Sequence, residues 1–266
     1  MHHLRMRPRL ARISFCVALP ASLLCLALLT ACSQSDLTAT TAPGTRANDN
    51  PSKLASSAKG APAPTTCTPI ADAVQRVEQS VVRLETPPDA QGEISAGTGF
   101  VIDSDVVLTN QHVVAGTEKI LVTFDSIGAG RGRRAFGEVL ATNEAQDLAL
   151  IQVDTGQVPA IVWGDDRTLA RGTPLTAIGY ARDKPGRPAV TSGKYLQTYV
   201  DPPSGQAYLL TNVLLDHGDS GGPLLNDCGQ VIGVNTAKIR SEERASLSIP
   251  EFLAHRWATE QIQLQR

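Results

Sequence analysis

The chain has 266 residues, enough for one large domain or two small ones, and its 42% hydrophobic and 19% charged residues are typical of a globular protein. Composition alone does not identify a function, but charge argues against one class of partner. Of the 24 basic residues, four lie in the first twelve positions, so the remainder carries 20 basic against 26 acidic residues, a net charge of about −6. This charge does not favour binding to nucleic acid.

The first 31 residues have the layout of an export signal. Four arginines and no acid occur in the first twelve residues, and an apolar run over residues 13–29 follows directly. The run ends in Leu29-Thr30-Ala31-Cys32, which resembles the lipobox of bacterial lipoproteins. That resemblance implies cleavage before Cys32 and a diacylglycerol on its sulfur. The alternative is an uncleaved signal anchor, since the seventeen residues of the apolar run approach the lower limit for a membrane span of roughly 17–25 residues.

Residues 32–66 are rich in Ser, Thr, Ala, Pro, Gly and Asn, with almost no large apolar side chains. Such a segment cannot bury enough surface to fold, so we predict a disordered stalk between the acylated Cys32 in the lipid bilayer and a folded domain over residues 67–266. Ser33 follows the lipidated cysteine. By analogy with lipoprotein sorting, this favours the outer membrane, with the domain in the cell envelope facing the periplasm or the cell surface.

Cysteine usage agrees with export. Cys16 and Cys25 leave with the signal and Cys32 is lipidated, which leaves Cys67 and Cys228. An oxidising compartment permits these two to pair in a disulfide. The alternative is two buried free thiols.

The predicted elements of the folded domain begin with a short helix near Pro69, with Ile70, Ala73, Val74 and Val77 at helical spacing. Short apolar or alternating runs bounded by turn residues then predict six strands, at residues 81–86, 98–103, 106–110, 119–125, 136–142 and 148–154. A second six are predicted at residues 174–180, 190–200, 208–213, 223–225, 231–236 and 247–249. A helix over residues 251–265 ends the chain. We therefore predict an all-β fold of two six-stranded antiparallel barrels with a C-terminal helix.

The hexapeptide GDSGGP at residues 218–223 predicts a tight turn that presents the hydroxyl of Ser220. Its glycines allow backbone conformations in which the amides of Gly218 and Ser220 point together at a developing oxyanion. A serine is a poor nucleophile by itself, and it requires a base together with a group that orients the base.

Two further motifs supply candidates for those roles. His112 lies in LTNQHVV at residues 108–114, where an apolar strand ends, and Asp147 opens the buried strand DLALIQV at residues 147–153. Taken singly, each is more commonly a structural residue. Together with GDSGGP in the order His, Asp, Ser, they resemble the trypsin-like serine peptidases of chymotrypsin fold, and the spelling is most similar to the bacterial HtrA-type branch.

The resemblance covers roughly residues 75–250 and implies a role for each residue. Ser220 attacks the scissile carbonyl, His112 takes and returns the proton, and Asp147 holds the imidazole tautomer. The amides of Gly218 and Ser220 form the oxyanion hole. The segment Gly97-Thr98-Gly99-Phe100-Val101 precedes the His strand in the same family, and we expect it to support the site by packing.

One departure from the digestive branch concerns activation. Those enzymes pair the Asp before the nucleophile with a cleaved Ile-Val-Gly-Gly terminus, and this sequence has no such segment, although Asp219 is present. Asp219 therefore requires a local partner, such as a backbone amide or an arginine, because an unpaired buried charge costs several kcal/mol.

In trypsin-like enzymes the residue six before the nucleophile lies at the base of the primary pocket, and here it is Leu214. The resemblance places Asn235, Thr236 and Ala237 along the far wall of the pocket. We therefore expect a preference for uncharged aliphatic or small apolar P1 residues. Lys238 either folds out into solvent or reaches an acidic substrate residue.

His217 precedes Gly218 and is either an exposed loop residue or a contact for substrate near the scissile bond. No HExxH motif or paired Cys/His spacing supports a zinc site, and we expect no cofactor. We also expect no PDZ domain after the terminal helix, so the trimer common in the HtrA branch is not implied. The predicted function is an exported, lipid-anchored serine endopeptidase that hydrolyses envelope polypeptides. The alternative is a catalytically silent lipoprotein of the same fold that acts as a binding or chaperone module.

Overall fold

The computed structural model describes Cys67 and residues 70–124, 132–181, 186–238 and 245–266, without the side chains of Ala237 and Lys238. The predicted signal peptide at residues 1–31, the lipidation site Cys32 and the stalk at residues 32–66 lie outside the described residues, as does Pro69. Over the described part of the chain, no helix has the length and apolar character needed to cross a membrane.

The first barrel contains six antiparallel strands. Hydrogen bonding closes it in the order β1-β2-β3-β6-β5-β4. Its strands are β1 (Val81–Glu85), β2 (Ala96–Asp103), β3 (Val106–Thr109), β4 (Lys119–Phe124), β5 (Arg133–Asn143) and β6 (Leu148–Gln152). Strands β3 and β6 are almost fully buried because other parts of the protein cover their outer faces, and they accordingly carry continuous apolar runs.

The second barrel is also closed and antiparallel, in the order β10-β11-β12-β9-β8-β7. Its strands are β7 (Pro174–Gly179), β8 (Ala189–Val200), β9 (Ala207–Thr211), β10 (Pro223–Leu225), β11 (Val231–Lys238) and β12 (Ser246–Pro250). Strand β8 alternates partly exposed and exposed residues along most of its length, which is the pattern of a strand with one face in water.

In the described part of the chain, three α-helices accompany the barrels: α1 (Ile70–Glu78), α2 (Gln111–Val114) and α3 (Glu251–Gln265). Helix α3 packs on β11 and β12 and buries Ala254, Trp257 and Ala258. It also holds the segment that connects the barrels, because His255 stacks on Trp163 with ring centroids 4.8 Å apart.

The apolar core has three parts, one inside each barrel and one shared between the barrels. The shared part brings together Phe100 and Leu108 of the first barrel, Ile178 and Val234 of the second, and Trp257 of α3. Since protein interiors are close-packed, this core fixes the position of one barrel against the other.

The structure confirms the predicted fold of two six-stranded antiparallel barrels and a C-terminal helix, and α3 has the predicted bounds. The largest difference is β5, which begins three residues earlier than expected. Arg133 and Arg134 are polar, and the apolar pattern did not include them. They extend the strand because they pair with Phe124 and Thr123 of β4.

A disulfide joins Cys67 to Cys228, with the Cα atoms 4.9 Å apart and a sequence separation of 161. It attaches the chain just before α1 to the turn between β10 and β11. The helix also contacts this turn closely, since a Cβ at Gly229 would lie 2.5 Å from the Cβ of Ala73. In the chain-entropy model a cross-link over so long a loop stabilises the fold by about 3 to 5 kcal/mol.

Candidate functional site

His112 and Asp147 are brought together by two neighbouring strands of the first barrel. His112 lies on the short helix α2, which begins after β3, and Asp147 precedes β6, the strand that pairs with β3. Asp147 has φ of 54°, the one positive value among the described non-glycine residues. Such a conformation costs on the order of 1 kcal/mol, so surrounding contacts must hold it. One of these contacts is a hydrogen bond from the side-chain amide of Asn110 to the backbone carbonyl of Asp147 at 2.9 Å.

The carboxylate of Asp147 accepts hydrogen bonds from His112 at two points. Nδ1 of the imidazole lies 2.9 Å from both Oδ1 and Oδ2, and the backbone amide of His112 donates to Oδ1 at 3.1 Å. An ionised carboxylate can only accept, so Nδ1 carries the proton and Nε2 is left as the acceptor. About half of the His112 side chain is exposed, which leaves Nε2 accessible to a ligand.

The pKa of Asp147 is lowered from its ordinary value. Burial by itself raises this pKa, but hydrogen bonds from the His112 ring and the Thr236 hydroxyl stabilise the ionised form and outweigh it. Conversely, burial and then the negative charge of Asp147 raise the pKa of Tyr208, which keeps that phenol protonated near the site. The hydrogen bonds at this site therefore favour an ionised Asp147 carboxylate behind the His112 ring.

Ser220 comes from the second barrel, in the turn before β10. Its hydroxyl donates to the carbonyl of Thr236 at 3.1 Å. The hydroxyl of the same Thr236 donates to Oδ2 of Asp147 at 2.5 Å. No hydrogen bond joins Ser220 to His112 among the described residues, so transfer of the Ser220 proton to His112 requires rotation of the serine hydroxyl away from Thr236.

The turn around Ser220 leaves two backbone donors available. The amide of Asp219 donates to Asp216, that of Gly221 to Asn235 and that of Gly222 to Asp219, at 2.8 to 3.1 Å. Within the described residues, the amides of Gly218 and Ser220 have no acceptor. These are the two amides that the sequence predicts for an oxyanion hole. Gly221 has to be glycine, because φ is 82° and a Cβ there would collide with the Thr98 carbonyl and the Thr109 hydroxyl.

Asp219 is buried and has a local partner. Its Oδ2 accepts a hydrogen bond from the backbone amide of Asp216 at 2.8 Å. Its side chain also packs directly on Gly179, where a Cβ would lie 2.6 Å from Oδ1. A backbone amide was one of the two kinds of partner expected for this carboxylate. The bond lies within the turn, between Asp216 and Asp219, and does not involve a chain terminus.

Two residues of the predicted far wall of the substrate pocket have side chains with hydrogen-bond partners inside the protein. Asn235 is fully buried, and its side chain donates to the Pro223 carbonyl at 3.2 Å and accepts from the Ser248 hydroxyl at 3.1 Å. The side chain of Thr236 points to Asp147. The pairing of β11 with β12 also shifts register between Asn235 and Ala237.

The remaining predicted pocket residues lie near the turn of Ser220. Leu214 is 53% exposed in the segment after β9. Ala237 continues β11 beside Thr236, while the side chains of Ala237 and Lys238 lie outside the described part of the chain. His217 is exposed next to Gly218, and its amide donates to the Asp216 carboxylate at 2.8 Å.

Sequence reasoning missed three supporting residues: Asn110, Tyr208 and, in its actual role, Thr236. Asn110 is fully buried although it is polar, and the sequence shows only a polar residue at the end of an apolar strand, two residues before the candidate base. Tyr208 and the bonding of Thr236 depend on contacts between the barrels. No sequence pattern carries that information.

Over the described residues, one group of side chains has the spacing of a metal site, namely Cys67, Asp227 and Cys228. Its two cysteines are joined in the disulfide and so offer no thiolate. The chemistry that the site around Ser220 can perform is nucleophilic, with a hydroxyl, an imidazole oriented by a carboxylate and two backbone amides.

Comparison with known proteins finds matches among peptidases. The family model described as trypsin-like peptidase domain matches residues 97–234. A probable periplasmic serine endoprotease DegP-like of Halomonas elongata is 34% identical over 58% of this chain and 32% of its own length. A putative serine protease HhoA of Synechocystis is 33% identical over 57% of this chain and 39% of its own length. The chain thus spans well under half the length of these relatives.

Solved structures agree in fold. The HtrA-type protease AlgW with tripeptide superposes with a TM-score of 0.66 at 27% identity, over 74% of this chain and 64% of that one. The serine endoprotease from Yersinia pestis gives a TM-score of 0.63 at 26% identity, over 75% of this chain and 68% of that one.

Replacing Thr236 by Val removes one donor from the Asp147 carboxylate, so we expect the pKa of Asp147 to rise toward its ordinary value. A carboxylate with a lowered folded-state pKa stabilises the fold above its unfolded pKa, about 3.9, and that stability is lost as pH falls through the folded-state pKa. Thr236→Val should therefore be less stable than the wild type at neutral pH, and the difference should shrink in acid. Urea unfolding over a pH series measures this.

Thr236→Ser keeps the hydroxyl and serves as the control, with the wild-type pH dependence. A stability loss in Thr236→Val of equal size at every pH would contradict the proposed contact with an ionised Asp147.

Proposed function

Since the chain belongs to the trypsin-like peptidase family, we propose that it is a serine endopeptidase with Ser220, His112 and Asp147 as its catalytic residues. The observation that carries the proposal is the bonding of the Asp147 carboxylate. It receives the His112 ring at 2.9 Å on one side and, through Thr236, is connected to the Ser220 hydroxyl on the other. An orienting acid, a base and a nucleophile are thus joined in one hydrogen-bonded group.

The mechanism follows from these contacts. The Ser220 oxygen attacks the peptide carbonyl as its proton passes to Nε2 of His112. Asp147 stabilises the resulting imidazolium, and the amides of Gly218 and Ser220 bind the tetrahedral oxyanion. His112 then gives the proton to the leaving amine and an acyl-enzyme forms. A water molecule, deprotonated by His112, attacks the ester and releases the acid product with Ser220 restored.

The alternative, a silent binding module, depended mainly on a buried Asp219 with no evident support. The amide of Asp216 provides such support, and the two amides of the oxyanion hole remain available among the described residues. The geometry therefore favours an enzyme.

A fluorophosphonate probe tests the proposal on the full-length protein in detergent, because it reacts with an activated serine. We expect labelling of the wild type and none of Ser220→Ala, whose kcat should fall by about 10⁶-fold. Ser204→Ala, in an exposed loop serine, is the matched control and should be labelled normally. A folded wild type that takes up no probe and cleaves no unfolded polypeptide would establish the silent alternative.

The substrate-binding residues in this proposal are Leu214 and the backbone of β11 from Thr236 to Ala237. Leu214 is an exposed apolar side chain six residues before Ser220. Because this residue is not an acid, it offers no charge partner to a basic P1 side chain. An uncharged aliphatic or small apolar P1 side chain fits this surface.

Leu214→Asp should change the P1 preference, because a carboxylate at this position attracts a basic side chain. We expect kcat/KM to fall about tenfold for a peptide with Val at P1 and to rise by a similar factor for one with Lys. Leu214→Asn, similar in size to Asp but uncharged, separates charge from shape and should show only the fall. Unchanged preference in Leu214→Asp would exclude this residue from the pocket.

The chain is exported and anchored by lipid in this proposal. Residues 1–31 are a lipoprotein signal peptide, residues 32–66 a stalk from the acylated Cys32, and residues 67–266 the peptidase domain that acts on envelope polypeptides. Two observations support export: the basic and apolar start of the sequence, and a disulfide that requires an oxidising compartment. The DegP-like relative described as periplasmic agrees with this location, and Ser33 favours the outer membrane.

Cys32→Ser should abolish incorporation of labelled palmitate and release the protein from washed membranes, since a single thioether carries the diacylglycerol. Cys25→Ser changes a cysteine within the predicted signal and should leave both properties intact. Membrane retention of Cys32→Ser without palmitate would instead indicate an uncleaved signal anchor.

A further inference from the structure

Thr98 uses every polar atom it has, in a position that is completely buried. It lies near the start of β2, between two glycines. Its amide donates to the Ser220 carbonyl at 2.9 Å and its carbonyl accepts from the Thr109 hydroxyl at 2.7 Å. Its hydroxyl lies 2.6 Å from the Gly218 carbonyl oxygen and 2.8 Å from the Tyr180 amide nitrogen.

The direction of the hydroxyl bond follows from its partners. The Tyr180 amide can only donate, so it occupies a lone pair of the Thr98 oxygen. The Gly218 carbonyl can only accept, so it receives the single hydroxyl proton. A side chain of the first barrel thus links the end of β7 in the second barrel to the turn that presents Ser220.

This bond completes the fixation of the turn. The peptide between Gly218 and Asp219 is held at its carbonyl by Thr98 and at its amide by Asp216. The peptide between Ser220 and Gly221 is held at its carbonyl by Thr98 and at its amide by Asn235. The two amides of the oxyanion hole lie next to these fixed peptides and are themselves unbonded among the described residues.

Gly218 needs this restraint because glycine is conformationally adaptable. Its φ of 99° lies in a region that glycine shares with several other conformations of similar energy. Without the Thr98 hydroxyl, the peptide after Gly218 is held only at the Asp219 amide, so the directions of the Gly218 and Ser220 amides become less well fixed.

We propose that Thr98 is a positioning residue of this peptidase, whose hydroxyl holds the Gly218 carbonyl and thereby aligns the amides of Gly218 and Ser220 on the oxyanion. The inference rests on the proposed peptidase function. Thr98 touches neither substrate nor reacting atoms in this role, and it acts through the backbone of the turn.

The test compares Thr98→Val, which keeps the shape and lacks the hydroxyl, with Thr98→Ser, which keeps the hydroxyl. In Thr98→Val we expect kcat to fall about 10- to 100-fold, less than the roughly 10²- to 10³-fold for loss of a whole oxyanion donor. KM should change little, because ground-state contacts are untouched. Affinity for a peptidyl boronate, whose adduct places an oxygen in the oxyanion hole, should fall in parallel with kcat. Thr98→Ser should restore both.

A matched control separates positioning from stability. Thr155 is equally buried and its hydroxyl also donates to a backbone carbonyl, that of Ser104, which follows the far end of β2. Thr155→Val should lose stability with kcat and boronate affinity unchanged. If Thr98→Val does not fold, Thr98→Cys replaces it, since a thiol fills similar space but is a weak donor, and the same losses are expected.

Two failures are distinguishable. Wild-type protein that the fluorophosphonate probe does not label overturns the peptidase function and the role of Thr98 with it. Active wild type together with a Thr98→Val that keeps wild-type kcat and boronate affinity overturns the role of Thr98 alone. If KM of Thr98→Val rises while its kcat stays at the wild-type value, the role of Thr98 is ordinary packing and the proposal is overturned.

Discussion

The two hydrogen bonds of Thr236 are the contact on which the functional geometry depends. The hydroxyl of Thr236 reaches Asp147 in the first barrel, and its carbonyl receives Ser220 within the second. Base and nucleophile are therefore carried by different barrels, and their separation is set by how the barrels pack. Hydrogen bonds tolerate errors of only a few tenths of an ångström, which explains why so much of the apolar core lies between the barrels.

Several features outside the site maintain this packing. Helix α3 covers the shared core with Trp257, and its backbone amide at Phe252 binds the Asp166 carboxylate in the segment that connects the barrels. Residues that look peripheral therefore control the site indirectly. The cost of the left-handed conformation at Asp147 is offset by the same organisation, because Asn110 holds its carbonyl and His112 its carboxylate.

Most of the fold was predictable because each strand carries a local signal. Runs such as residues 106–110 and 148–154 are apolar and bounded by polar turns, and they became β3 and β6 with small differences at the ends. The order of His112, Asp147 and Ser220 was equally accessible, since each lies in a short motif. The direction of the Asn235 and Thr236 side chains was not accessible. It depends on tertiary partners: the Pro223 carbonyl and Ser248 for Asn235, and Asp147 for Thr236.

The disulfide gives the molecule a mechanical property. Cys228 lies in the turn between β10 and β11, the strands that follow Ser220 and carry Thr236, and Cys67 precedes the first helix. A pulling force on the chain before Cys67 is transmitted through the disulfide to the hairpin of β10 and β11, as well as along the backbone to α1. The helix is therefore not peeled from the barrels by a pull at this end. The hydrogen bonds between β10 and β11 bear part of the force instead. A pull from the N-terminal side therefore acts directly on the two strands that follow Ser220.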